Sequence, residues 1–149
     1  MPGLFDVYTL REMTLRNRIM MSPMCQYVAG EDGRATDWHL VHYGARASGG
    51  VGLVMIEATA VEPRGRISLG DLGLWEDAQV EPLARIVDFC HAQGAQVGVQ
   101  LGHAGRKAWS AQRAFGPEVP VAPSAIPFDE GWRVPEALDR AGIDGVVAA

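Results

Sequence analysis

Three apolar runs punctuate the chain without the alternation of a half-buried strand: Arg18–Met21 (RIMM), Val51–Ile56 (VGLVMI) and Gln96–Val99 (QVGV), with Leu101 beyond. Such runs suit strands covered on both faces, as in a parallel sheet. Between them the apolar spacing lengthens to a helical period. Trp38, Val41 and Ala45 share one face, continued by the small Ser48, with Thr36 or Asp37 placed to cap the helix. Leu83, Ile86, Val87 and Cys90 form a second stripe, with Pro82 in the first turn and Gly94 where a C′ residue belongs. The predicted order is β-α-β-α-β. Ahead of it, Val7–Leu10 and Met13–Leu15 flank Arg11-Glu12 as a small hairpin. Behind it, a proline-punctuated connection from His103 to Pro135 is long enough to suggest a functional loop. Residues 136–149 then read as the start of a third helix, with Ile143, Val146 and Val147 as its stripe.

An α/β run of this kind belongs either to an open doubly wound sheet or to a (β/α)8 barrel. A whole barrel takes about 250 residues. Three strands standing alone would leave apolar edges unpaired. The pattern is therefore expected to be the N-terminal portion of a larger domain, its remaining strands lying outside these 149 residues.

Composition narrows the functional classes. A formal net charge of −5 offers no basic surface for nucleic acid or anionic membrane. No apolar run approaches the roughly 18 residues of a transmembrane span, and the N-terminus lacks the features of a signal peptide. Two cysteines, Cys25 and Cys90, are too few for a disulfide framework, so a cytoplasmic protein is expected.

In parallel α/β architectures chemistry gathers at the carboxyl ends of the strands. The first strand ends in Ser22-Pro23-Met24-Cys25-Gln26-Tyr27, the second in Glu57-Ala58-Thr59-Ala60, and the third in Gln100-Leu101-Gly102-His103. These ends are expected to share a rim. No GxSxG elbow and no GxxxxGK[ST] loop is present, so neither that hydrolase nor that phosphate-loop chemistry is supported. A thiol, a phenol, a carboxamide and small residues suit a planar, uncharged heterocycle such as a flavin, whose electronics a protein tunes by hydrogen bonds and nearby charge.

The blocks Arg16-Asn17-Arg18-Ile19, Ser22-Pro23-Met24-Cys25, Glu57-Ala58-Thr59-Ala60-Val61, Gln100-Leu101-Gly102-His103-Ala104-Gly105-Arg106-Lys107 and Val121-Ala122-Pro123-Ser124-Ala125-Ile126 resemble the Old Yellow Enzyme family. The Cys25 and Tyr27 pair resembles its thermophilic-like bacterial branch. The resemblance implies a (β/α)8 barrel that binds FMN, takes hydride from NADPH or NADH, and reduces activated C=C bonds of α,β-unsaturated carbonyls. It implies that Ser22, Pro23, Met24, Cys25, Ala58 and Gln100 contact the flavin. Cys25 would tune its potential and Tyr27 would face the substrate. It also places the family's carbonyl-binding, proton-donating and phosphate-gripping residues beyond Ala149. A homo-oligomer, or a complementing chain that supplies the rest of the barrel, is the expected assembly. Rival readings are the N-terminal barrel of a 2,4-dienoyl-CoA reductase-like flavoenzyme and a non-catalytic flavin-binding module.

Other residues have plainer explanations. Cys90 lies on an apolar stripe and reads as core. His39 and His42 are three apart on a helix, but with no third ligand nearby they read as structural, and no metal is expected. His103, Arg106 and Lys107 follow a strand end and suit either contact with a cofactor or loop or support of Gln100. Arg64, Arg66, Arg113 and Arg133 read as solvated loop charges.

Overall fold

The computed structural model describes residues 1–108 and 119–149. Its centre is a parallel sheet. Strand β4 (Leu53–Ala60) carries β6 (Gln96–Gly102) along its whole length, while β3 (Met20–Met21) and β5 (Leu72–Gly73) pair with it at opposite ends. With β6 on one edge of β4, β3 and β5 share the other. The chain leaves that edge after Met21, and β5 fills the edge near the carboxyl end. Ser22 to Cys25 therefore lie outside the ladder, where Pro23 forgoes no sheet hydrogen bond.

Helices α1 (Asp37–Ser48) and α2 (Val80–Ala92) pack on one another over this sheet. Tyr43 and Ala47 of α1 meet Val54 and Ile56 of β4 and Leu83, Ile86 and Cys90 of α2 in one core. Cys90 is thus core, as its stripe indicates. Gly94 adopts φ 79°, the left-handed conformation that lets a chain turn out of a helix without strain.

The hairpin forms from β1 (Tyr8–Leu10) and β2 (Met13–Leu15), antiparallel, with Arg11 at φ 54° in its turn. Arg16 follows it and acts as a clasp at the opposite end of the sheet from the strand tips. Its guanidinium donates to the carbonyls of Ala47, Val51 and Gln93 at 2.7–3.1 Å. The Ala47 and Gln93 carbonyls lie at the C-terminal ends of α1 and α2, where a cation also suits the helix dipoles, and Val51 lies in the turn into β4. Asn17 donates to the Gly50 carbonyl at 2.7 Å and accepts from the Ile19 amide at 3.0 Å. The RNRI block is thus a basal clasp.

Several boundaries differ from the sequence reading. The first strand shrinks to Met20–Met21 because Ile19 accepts hydrogen bonds from Gly52 and Leu53 at the sheet's start. The second runs on to Ala60 and the third to Gly102. The long connection contains β7 (Val121–Ala122), which pairs in parallel with β8 (Glu136–Ala137). Helix α3 (Arg140–Ala148) begins four residues later than expected, capped where Asp139 accepts from the Gly142 amide at 2.8 Å. Arg113 lies outside the described residues.

The larger correction concerns α1. Trp38 and Val41 are exposed, as are Ala45 and Ser48, and the buried stripe is His39, His42, Tyr43 and Ala47. The period matches and the phase differs, because the core side of this helix carries Tyr43, whose hydroxyl is paired with Glu57 of β4. Among the described residues no helix is long and apolar enough to cross a membrane.

Candidate functional site

Ala58 and Gln100 are direct partners across the β4–β6 ladder. The ladder shifts register between Ile56 and Ala58, which leaves Glu57 as an unpaired bulge residue. Ile56 faces the helical core, and the bulge keeps Glu57 on that side too, where it meets Tyr43. Ala58 is thereby turned back to the opposite face, beside Gln100, re-aimed as bulges do.

Above this pair a cleft of about 240 Å³ opens at the carboxyl ends of β4 and β6, lined by Ala58, Thr59, Arg66, Asp71, Gln100 and His103 among others. Gln100 is exposed, and its carboxamide makes no hydrogen bond to another described residue. It is available to a ligand as both donor and acceptor. His103 is held from both ring nitrogens: Nε2 lies 2.8 Å from Glu62 Oε1, and Nδ1 accepts the Gly105 amide at 3.0 Å. Support of the strand end is its role here.

Cys25 is half-buried beside the same tip. The Ala58 backbone and the Tyr27 side chain hydrogen-bond its sulfur, but burial comes first in setting its acidity, followed by the charges of Asp71 and Glu57. The net effect raises the thiol above its usual range, so at neutral pH it is a neutral SH group and a poor nucleophile. Ser22 and Met24 are exposed, while Pro23 and Tyr27 are partly buried. Tyr27 adopts φ 59°, an unusual conformation for an aromatic residue that surrounding contacts must hold in place. One hold is Gly70, where an added Cβ would run into the Tyr27 backbone carbonyl. The neighbouring Ala29 amide donates to the Gly70 carbonyl at 2.9 Å.

The structure thus brings together Cys25, Ala58 and Gln100, with Ser22, Pro23, Met24 and Tyr27 on the adjoining turn. Four residues around them escaped the sequence reading. Glu57 and Asp71 are fully buried carboxylates, and Tyr43 is fully buried beneath them. Arg66, expected to be solvated, is only 6% exposed: it donates to the Glu31 carbonyl at 2.8 Å and lies over Trp75. It ties the loop before α1 to the loop before β5. The sequence did signal Glu57, since a carboxylate inside an apolar strand must find a partner.

Fold and rim together define a parallel α/β protein whose strand tips open into a cleft lined by small residues, Gln100 and His103, with Arg66 and Asp71 beside them. The family model for NADH:flavin oxidoreductases / NADH oxidases matches residues 3–147. The "NADPH dehydrogenase" of Listeria monocytogenes serotype 4a (strain HCC23) is 55% identical over 149 residues, covering 99% of this chain and 42% of that protein. Among solved structures, morphinone reductase in complex with tetrahydroNAD shares 31% identity with a TM-score of 0.84 over 99% of this chain and 44% of that one. The Old Yellow Enzyme homologue from Zymomonas mobilis shares 31% identity with a TM-score of 0.86, over 99% and 42%. The chain belongs to the NADH:flavin oxidoreductase / NADH oxidase family, within its Old Yellow Enzyme relatives. It spans less than half the length of these relatives and represents the N-terminal part of their barrel.

The family's cofactor is FMN, with NAD(P)H as electron donor. The residues present fit the isoalloxazine ring. A carboxamide with no hydrogen bond to another described residue, a small side chain and an uncharged thiol converge at one strand tip, beside a cleft that Arg66 and Asp71 also line.

Proposed function

We propose that in the complete protein this rim holds FMN and that the enzyme is an ene-reductase, using NAD(P)H to reduce activated C=C bonds of α,β-unsaturated carbonyls. The observation that carries this reading is the meeting of Cys25, Ala58 and Gln100 on one rim, with Gln100 making no hydrogen bond to another described residue and Cys25 neutral. When bound, the flavin supplies the hydride chemistry. Gln100 would hold the polar edge of the ring. Ala58 would leave room for the ring's plane, and Ser22, Pro23 and Met24 would line it. A neutral Cys25 thiol against the ring would adjust its electron affinity without attacking it. Tyr27, on the same turn, would face the substrate. The assembly expected is a homo-oligomer of the complete protein, or a complementing chain that supplies the rest of the barrel.

The test is to purify the complete protein and measure bound FMN and NADPH-driven reduction of 2-cyclohexenone. Flavin at about one per chain with turnover of the enone is the expected result. Flavin bound without any enone turnover would refute the ene-reductase reading and leave the cofactor assignment standing.

A further inference from the structure

Beneath the Cys25 turn lies a buried polar cluster that the proposed chemistry does not use. Glu57 is fully buried. Its Oε1 accepts the Gln26 amide at 2.8 Å, its Oε2 accepts the Tyr43 hydroxyl at 2.6 Å, and the Tyr27 backbone also donates to it. Its own amide donates to the Tyr43 oxygen at 3.0 Å. His39 lies beyond, with Nε2 3.8 Å from Oε2. The His39 Nδ1 accepts the Thr36 amide at 3.0 Å, which in the neutral ring leaves the proton on Nε2, facing Glu57. The groups hydrogen-bonded to the carboxyl are donors, which suits its ionised form, although burial and Asp71 outweigh them and raise its pKa. Burial and Asp71 push its pKa up; the hydrogen bonds from Tyr43, Gln26 and Tyr27 hold it down.

We propose that Glu57, braced by Tyr43, is a positioning residue that grips the Gln26–Tyr27 backbone from below and so sets the place of the Cys25 thiol and the Tyr27 ring at the flavin rim. It acts through the turn and touches neither ligand nor cofactor. The geometry favours this over plain core filling. An apolar residue would fill the space at lower desolvation cost, whereas here a buried carboxylate spends both oxygens on two elements, the turn and α1. The strained Tyr27 backbone needs such a hold, and Gly70 grips it from another side. The charged and titratable groups facing this cluster are His39, His42 and Tyr43 from α1, Asp71 from the segment before β5, and Cys25 and Tyr27 from the turn itself.

The inference rests on the flavin-rim reading of Cys25, and the experiment separates the two. In the complete enzyme, Glu57→Gln and the nearly isosteric Tyr43→Phe are compared with wild type and with Cys25→Ala. The readouts are folding, bound FMN, the flavin reduction potential, steady-state kinetics and the pH profile of Cys25 alkylation by iodoacetamide, resolved by mass spectrometry. Glu57→Gln removes an anion beside the thiol. Its alkylation profile is expected to shift to lower pH, raising the thiolate fraction at pH 8 roughly threefold to tenfold. Turnover is expected to fall about tenfold in both variants while FMN stays bound. A lowered melting temperature with turnover and alkylation both within twofold of wild type would reduce Glu57 to a structural residue and overturn the proposal. If Cys25→Ala leaves flavin potential and kinetics unchanged, it is the tuning reading of Cys25 that falls; the alkylation shift still reports on Glu57.

Discussion

Arg16 shows how much one side chain can organise. It sits in the RNRI block, and its guanidinium fork gathers carbonyls from the ends of both helices and from the turn into β4. Lysine carries the charge but not the fork. Arg16→Ala should lower unfolding free energy by about 2–3 kcal/mol, because several carbonyls lose a charged donor together. Arg16→Lys should recover less than half of that, as read by urea denaturation. Cys25 makes the opposite kind of contribution. Cys25→Ala in the complete enzyme should keep its FMN while shifting the flavin reduction potential and the enone kinetics, measured by spectroelectrochemistry and steady-state assay. A thiol against a ring perturbs electron density without anchoring the ribityl phosphate.

Strands and loops decide where those side chains point. The bulge at Glu57 turns a carboxylate toward α1 and an alanine toward the cleft, and no apolar periodicity reveals a bulge in advance. Strand β5 was equally hidden, since two residues, Leu72 and Gly73, carry no pattern of their own. They are a strand only because β3 leaves the edge of β4 early. The loop before β5 then brings Gly70 against the Cys25–Tyr27 turn. Gly70→Ala should displace that turn, costing about 1–3 kcal/mol and much of the activity while the helical circular dichroism is kept. Retained full turnover would show that the turn tolerates a different seat.

At the scale of the whole molecule, buried ionisable groups couple stability to pH. Burial, aided by the neighbouring His42, lowers the His39 pKa from 6.5 to about 4. The unfolded chain therefore binds the extra proton first. This contribution to stability is intact above pH 6.5 and is lost progressively as pH falls toward 4, by about 3 kcal/mol in all. Glu57 has the opposite sign: its raised pKa favours the fold below the usual carboxylate range and costs stability as pH rises above it. His39→Asn, whose amide oxygen can accept the Thr36 amide, should flatten the decline between pH 6.5 and 4 in urea titrations. The sheet also leaves apolar surface uncovered: Met20, Val99 and Leu101 are exposed, and no described strand pairs with the outer edge of β6. Residues 1–149 expressed alone should therefore associate or aggregate and co-purify without flavin. A yellow, monomeric product would contradict the expectation that FMN needs the rest of the barrel.

What the sequence by itself determined is what local chemistry controls. The helix periods, the Gly94 stop, the hairpin turn and the order of strands all follow from neighbours within a turn or two. The rim followed as well, because parallel order alone sends Cys25, Ala58 and Gln100 to the same end. The tertiary structure decided which face of α1 is buried, because the Tyr43 hydroxyl can be buried only once Glu57 stands opposite to bond it. It decided that Arg66 is a buried tie, because the Glu31 carbonyl that holds it lies 35 residues away. Hydropathy scores each residue as if it met a uniform interior. A buried polar group is stable only beside its own partner, and that partner is chosen by the fold.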